Sequence, residues 1–158
     1  MRIHRFLALL AILVLAGACD DSPSEPGDTL LPLETVVQSS VSGFSSPLRL
    51  AIRSEGEWIQ VWATLTAGEN PPPSRPAIDF DRDMAVLAAG GPGDGCFTVE
   101  VDHATRKADG SLEVEVVEFE AGPTCACLAF VAQPAHVVKL EKVDGEVRFV
   151  VHRQQLAC

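Results

Sequence analysis

From about residue 34 onward, apolar and polar residues alternate along most of the chain. The alternation is clear in residues 48–53, 96–104 and 111–119, and a period of two predicts β-strands with one buried face. Residues 84–89 are apolar throughout, which indicates a buried strand. The pattern therefore predicts a protein built mainly from β-sheet.

Turn sequences between these segments predict two β-hairpins. The first pairs residues 96–104 with residues 111–119. The second pairs residues 135–142 with residues 145–153, because Asp144-Gly145 is a dipeptide favoured in tight hairpin turns. Charged residues occupy alternate positions of these strands, as expected for antiparallel sheets with one face in water.

One segment departs from the period of two and predicts a helix. Its apolar residues recur at the spacing of one helix face: Trp58, Val61, Trp62 and Leu65. Ser54 and Glu57 have the spacing of a capping box, and Gly68 predicts the end of the helix. Such an apolar stripe is typical of a helix lying on a sheet, while a sugar-stacking platform is the alternative interpretation of the two tryptophans. We therefore expect a mainly β (α+β) fold, an antiparallel curved sheet or sandwich-like layer covered by one short amphipathic helix.

The first 18 residues have the pattern of a bacterial export signal. Arg2 and Arg5 precede a short apolar stretch, residues 6–15, and small residues lead to Cys19. The stretch is too short to span a bilayer, which needs about 20 residues. The sequence Ala-Gly-Ala-Cys resembles the lipobox of bacterial lipoproteins, which implies that Cys19 is diacylated and becomes the mature N-terminus. Ordinary cleavage nearby, which leaves a free thiol at Cys19, is the alternative.

Residues 19–33 are rich in Asp, Ser and Pro and are predicted to form a flexible tether, and residues 34–158 to form a single domain. The expected location is the cell envelope, with the lipid anchor in the inner or the outer membrane. The chain has 12 basic and 22 acidic residues and a net charge of −10, which argues against a nucleic-acid partner. Attachment to the membrane is expected to come from the acyl chains of Cys19, because anionic headgroups repel this chain.

Four further cysteines predict two structural disulfides in an exported domain: Cys96, Cys125, Cys127 and Cys158. The register of the two predicted hairpins favours Cys96–Cys125 and Cys127–Cys158. The swapped pairing is nearly as compatible, and a Cys125–Cys127 bond ranks last because it closes a strained small ring. A zinc site is a less favoured alternative, since paired CxxC ligands are absent. A redox-active CxC is also less favoured, because no neighbouring group is evident to lower a thiol pKa.

No segment has the pattern of a catalytic or cofactor site. The glycine-rich residues 90–95 lack the Lys-Ser/Thr and the following helix of a phosphate loop. The acidic residues 79–83 imitate the start of a calcium loop but lack its glycine and its final glutamate, and they indicate a solvated turn. Three histidines are expected at the surface or on edge strands: His103, His136 and His152. The sequence predicts no catalytic residue, no metal and no cofactor.

The ordered set of segments resembles the C-terminal domain of the protease-complex subunit PrcB, a family of bacterial exported proteins. Four segments carry the resemblance, in chain order: residues 52–62, residues 76–91, residues 93–101 and residues 133–142. The chain departs from the family at Cys96 and Phe97, which replace a glycine and a tyrosine, and at Ala135, where an aromatic residue is usual. The extra cysteines indicate a variant stiffened by disulfides.

The resemblance implies a non-enzymatic lipoprotein that supports or stabilises an exported protease complex. The candidate partner-contact loop turns the chain between two strands and includes Gly91, Pro92, Gly93, Asp94, Gly95 and Phe97. Two other functions remain open at this point. The loop distantly resembles the contact loop of immunoglobulin-like inhibitors of cysteine proteases, and the tryptophan pair is compatible with a glycan-binding module.

Overall fold

The computed structural model describes residues 27–158, so the predicted signal, Cys19 and the first part of the predicted tether lie outside the described residues. The described elements are β1 (Thr29–Leu31), β2 (Glu34–Ser39), β3 (Leu48–Ile52), α1 (Glu55–Leu65), β4 (Asp83–Ala89), β5 (Thr98–Arg106), β6 (Leu112–Glu120), β7 (Ala135–Glu141) and β8 (Val147–Gln155). The strands form two sheets of four. The outer sheet has the order β1-β5-β6-β8, and the central sheet has the order β2-β7-β4-β3. Within residues 27–158, no helix has the length and apolar character needed to cross a membrane.

Strand β4 lies in the interior of the central sheet and is buried on both faces. One set of its side chains packs against the outer sheet: Met84, Val86 and Ala88. The other set packs against α1: Ala85, Leu87 and Ala89. The protein thus has three layers, helix, central sheet and outer sheet. The predicted buried strand and the mainly β fold with one covering helix are confirmed.

Helix α1 begins as predicted and ends earlier than predicted. Ser54 is the N-cap, and its side chain and that of Glu57 form the reciprocal capping box. The hydrogen bond that the carboxylate of Glu57 accepts from the Arg53 backbone N–H lowers the pKa of Glu57. The helix ends at Leu65 with Thr66 as its C-cap, so the prediction of Gly68 as the stop is wrong. The Thr66 N–H and hydroxyl both donate to the carbonyl of Trp62, and this closes the last turn without a glycine.

Both tryptophans of α1 face the central sheet and the segment that follows the helix. Trp58 is fully buried and its indole N–H donates to the carbonyl of Pro76 over 2.9 Å. Trp62 is partly buried, donates to the carbonyl of Pro73 over 3.2 Å, and meets Trp58 edge to face with 5.4 Å between ring centroids. A buried ring has no face to offer a sugar, so a stacking platform made by this pair is excluded.

The first predicted hairpin is confirmed and the second is wrong. β5 and β6 pair antiparallel around a turn in which Gly110 has a φ of +82°, a conformation that favours glycine. β7 and β8 instead lie in different sheets. β7 is flanked by β2 and β4, whereas β8 pairs in parallel with β6.

Contacts from outside the predicted hairpin divert the chain after β7. Lys142 donates its N–H to the carbonyl of Arg82 over 3.0 Å. The guanidinium of Arg53 donates to the carbonyls of Val143 and Gly145 over 3.2 and 2.5 Å. These contacts carry residues 142–146 across the edge of the sandwich to the outer sheet. The Asp144-Gly145 sequence is compatible with a hairpin, but partners distant in sequence determine its path.

Part of the predicted tether forms a β-strand. Thr29–Leu31 forms β1, which pairs antiparallel with β5, and Leu31 is buried in the core between the sheets. The carboxylate of Asp28 accepts hydrogen bonds from the Lys107 ammonium and the Ala108 N–H, both over 3.2 Å. The predicted boundary of 33 for the tether is therefore wrong. The burial of Leu31, with Leu33 packed beside the same core, outweighs the polar and proline-rich composition of this stretch.

A buried ion pair joins the two sheets. Arg49 of β3 contacts Glu118 of β6 over 2.5 Å, and both side chains are almost completely removed from solvent. Glu118 stands on the inward face of β6, in line with the core residues Val114 and Val116. Burial lowers the pKa of Arg49, and the negative charge of Glu118 opposes that shift. Removing Glu118 would leave the charge of Arg49 unpaired in the interior, a change that costs about 3–5 kcal/mol.

His136, predicted at the surface or on an edge strand, is instead a buried link between the sheets. Its Nδ1 accepts the N–H of Val101 over 2.9 Å, beside the register shift in β5. Since Nδ1 is an acceptor, the neutral ring carries its proton on Nε2, which lies 3.0 Å from the hydroxyl of Thr35. Burial lowers the pKa of His136, and the charge of Glu100 partly offsets the effect.

We expect His136→Ala to lower the free energy of unfolding at pH 7.5 by about 2 kcal/mol, because the Val101 N–H loses its buried acceptor. The difference between the native protein and the variant should shrink as the pH falls below 6.5. The unfolded histidine binds a proton there that the folded ring does not, so the native protein loses stability and the variant does not.

Urea denaturation of both proteins between pH 5 and 8 measures this difference. His103→Ala is the matched control, since His103 is half-exposed, and it should change stability by less than about 0.5 kcal/mol. A difference that stays constant across this pH range would contradict the burial of a neutral His136.

Candidate functional site

Three chain segments meet at one end of the sandwich. The glycine loop, residues 90–97, leads from β4 in the central sheet to β5 in the outer sheet. The second loop, residues 121–134, leads from β6 back to β7, and the C-terminal residues 156–158 follow β8. We call these three segments together the disulfide-clamped end. Since the glycine loop is followed by a strand and not by a helix, it has no helix N-terminus to hold a phosphate.

Two disulfides hold this end together. Cys96 is bonded to Cys127 and Cys125 to Cys158, with Cα–Cα separations of 5.2 and 5.0 Å. The favoured prediction, Cys96–Cys125 with Cys127–Cys158, is therefore wrong, and the swapped pairing is found. The error comes from the second hairpin. β8 runs parallel to β6, so Cys158 follows the end of β8 to the same edge at which Cys125 follows β6.

Backbone contacts fix the glycine loop against the second loop. Gly93 and Ala132 exchange two hydrogen bonds, of 2.8 and 3.0 Å. A Cβ atom on Gly95 would collide with the carbonyl oxygen of Leu128, so only glycine allows this approach. Gly91 has a φ of +71° and lies against Pro47. The glycines therefore serve the turn and the close contact between loops, as predicted for a chain reversal between strands.

The predicted partner-contact loop is only partly accessible. Pro92 and Asp94 are exposed, whereas Gly91 is buried and Gly93, Gly95 and Phe97 are intermediate. The ring of Phe97 lies against the backbone of Gly90 and Gly93. Together with Glu120 and Ala121, the loop lines an open cleft of about 290 Å³.

The second loop exposes apolar side chains that sequence reasoning missed. Leu128 is 72 %, Val131 65 % and Phe130 38 % exposed. The loop contains no charged residue over its whole length, in a chain whose net charge is −10. A signal was present in the sequence, since residues 128–132 are apolar, are not part of any predicted strand, and directly follow the two cysteines of the CxC.

The described residues contain one cluster with metal-binding residue types, Asp94, Cys96 and Cys127. The two sulfur atoms of this cluster are bonded to each other, so they offer no thiolate to a metal. Asp94 instead accepts the Cys96 N–H over 2.9 Å within the turn. The predicted solvated turn at residues 79–83 is confirmed, since the Asp79 carbonyl accepts the N–H groups of Arg82 and Asp83.

Two of the three predicted surface histidines are confirmed at the surface. His103 contacts its neighbour Asp102 over 2.8 Å, and His152 contacts Glu115 across the pair of strands β6 and β8. Both rings are about half-exposed. Each is thus paired with a carboxylate, and in the described part of the chain neither hydrogen-bonds a serine or cysteine that it could activate.

Comparison with protein family models, with curated proteins and with solved structures finds no match to this chain.

We expect each disulfide to stabilise the domain by about 3–4 kcal/mol, because each closes a loop of just over 30 residues. Cys125 and Cys127 fall on one peptide, so non-reducing digestion followed by mass spectrometry must fragment this peptide between them, and should then show Cys96 joined to Cys127 and Cys125 joined to Cys158. The double variant Cys125→Ser/Cys158→Ser should retain the Cys96–Cys127 peptide and unfold at lower urea concentration. Peptides that join Cys96 to Cys125 would contradict this arrangement.

Gly95→Ala should lower the free energy of unfolding by about 1–3 kcal/mol, because the added methyl group would collide with the backbone of Leu128. Gly68→Ala is the matched control, since a Cβ there meets no atom within 4 Å. Thermal and urea unfolding of both variants test the expectation. Equal stability of the two variants would show that the loops are not held in contact.

Proposed function

We propose that this protein is a non-enzymatic, lipid-anchored interaction subunit of the bacterial envelope that binds an exported protease complex. The observation that carries the proposal is the disulfide-clamped end, where two disulfides hold exposed, uncharged apolar side chains in a fixed arrangement. Exposed apolar patches on soluble surfaces mark sites of protein contact. The contact surface consists of Leu128, Phe130, Val131, Pro92 and Asp94.

Rigidity supports an interaction function for this surface. A loop that is already ordered loses little conformational entropy when a partner binds, which raises affinity. The second loop is covalently joined to the glycine loop by Cys127 and to the C-terminus by Cys125. These bonds require an oxidising compartment, in agreement with export.

The position of the N-terminus supports the proposed anchor. Asp28 is held at the turn between β5 and β6, whereas the disulfide-clamped end lies beyond the opposite end of the same strands. A nine-residue strand is about 30 Å long. A tether that reaches from a lipidated Cys19 to Asp28 thus leaves the contact surface unobstructed.

The resemblance of residues 52–62, 76–91, 93–101 and 133–142 to the PrcB family favours a protease complex as the partner. Inhibition of a cysteine protease is a second candidate, favoured by the position of the glycine loop next to the exposed apolar loop. The two functions differ in one measurable respect. An inhibitor abolishes the activity of a purified cysteine protease at equal molar amounts, and a stabilising subunit does not.

Affinity capture of the full-length protein from native envelopes, with and without mild cross-linking, tests the proposal. We expect an exported protease to co-purify at a constant ratio, and Leu128→Asp and Val131→Asp to reduce its recovery at least tenfold. Ile59→Asp is the control, because Ile59 is 50 % exposed on α1, away from the disulfide-clamped end. Cys19→Ala should release the protein from the membrane fraction and abolish the mass of the acyl chains.

Each negative result removes a defined part of the proposal. Equal recovery with all three aspartate variants would rule out the disulfide-clamped end as the contact surface. Absence of any protease from the captured material would rule out the subunit role. Membrane retention of Cys19→Ala would rule out the lipid anchor.

A further inference from the structure

Strand β8 is the longest open edge in the described structure. It is the last strand of the outer sheet and pairs only with β6 among the described strands. Two hydrogen bonds at the ends of this strand pair show which backbone groups of β8 face β6. The Leu112 N–H donates to the Glu146 carbonyl, and the Leu156 N–H donates to the Glu120 carbonyl. Backbone groups of a strand point to alternate sides, so the even-numbered residues of β8 face β6.

The odd-numbered residues of β8 present their backbone N–H and C=O groups at the open edge: Val147, Phe149, Val151, Arg153 and Gln155. No other described residue hydrogen-bonds to these groups. Such a row of free donors and acceptors is a template for another strand.

Several devices that protect an edge strand are absent from β8, although its two arginines supply charge. It has no proline and no glycine, and its register with β6 is unbroken over nine residues. Among the other edges, β1 has three residues and β2 has a register irregularity between Thr35 and Val37. Val151 is 43 % exposed although its side chain points to the same face as the core residue Val116.

The charges of β8 suit an approach by another copy of this acidic chain. The strand carries arginines and no carboxylate. Arg148 pairs with Glu146, and Arg153 contacts both Glu118 and Glu120. The carboxylates that these two arginines contact are thereby compensated, which reduces repulsion between two chains of net charge −10.

Antiparallel pairing of β8 with β8 of a second copy gives hydrogen-bond partners to the free backbone groups and keeps like charges apart. With the strands fully overlapped, Val151 lies opposite its own copy, and Phe149 opposite Arg153. All hydrogen-bonded pairs then join odd-numbered residues, which are those with free backbone groups. Arg148 lies opposite Gln154, so no two like charges face each other directly.

We propose that two copies of this chain associate through β8 into a dimer with a continuous eight-stranded sheet, with Val151 on the twofold axis. The pairing is isologous, as expected for a closed dimer. The twofold places the two copies of Asp28 at opposite ends of the paired strands. With the lipid anchor proposed above, both tethers can reach one bilayer when the twofold axis is perpendicular to the membrane.

Site-specific disulfide cross-linking of the full-length protein in the envelope tests the proposal. In a hydrogen-bonded antiparallel pair the Cα atoms are about 5.5 Å apart, within the range that a disulfide spans. Val151→Cys should therefore give a covalent dimer on a non-reducing gel that disappears on reduction. Ile59→Cys, equally exposed on α1, should give at least tenfold less dimer.

The mass of the purified protein in mild detergent provides a second measurement that needs no new cysteine. Light scattering should give the mass of two chains for the native protein and for Ile59→Lys. Val151→Lys should give the mass of one chain with an unchanged thermal unfolding transition, because it places two like charges opposite each other. A single-chain mass for the native protein, or a dimer unaffected by Val151→Lys and not cross-linked by Val151→Cys, would overturn the proposal.

Discussion

The burial of β4 on both faces is the constraint on which the rest of the structure depends. From Met84 to Ala89 this strand has no polar side chain on either face, so it must be covered twice, once by α1 and once by the outer sheet. The covering explains why the protein has three layers and why β7, the neighbour of β4, is also mostly buried. With β2 on its other side, β7 has no edge left for β8. The chain must therefore leave the central sheet after β7.

Local patterns predicted every element whose partner is close in sequence. The capping box of Ser54 and Glu57 and the apolar face of α1 could be recognised from spacing alone. The β5–β6 hairpin could be recognised because its turn and its two strands are contiguous. For the candidate site, the cysteines and the reversing role of the glycine loop could be inferred, since residue type carries that information.

Contacts between residues that are far apart in the sequence could not be predicted. Asp144-Gly145 has the composition of a hairpin turn, but Arg53, some 90 residues earlier, holds it in a crossover. That one error also reversed the disulfide pairing, because the position of Cys158 depends on which strand β8 accompanies. His136 and Glu118 were not recognised as interior residues for the same reason. Val101 and Arg49 supply partners from the opposite sheet that help these two side chains to be buried.

The attachment of β1 has a mechanical consequence. Force applied from the N-terminal side reaches first a strand of three residues and the contacts of Asp28 with Lys107 and Ala108. The rest of the protein is a sandwich whose last residue, Cys158, is joined to the second loop by a disulfide. A pull on the tether should therefore peel β1 from β5 and lengthen the tether before the two sheets separate. In the proposed lipid-anchored protein, β1 would therefore extend under load before the sandwich itself is disturbed.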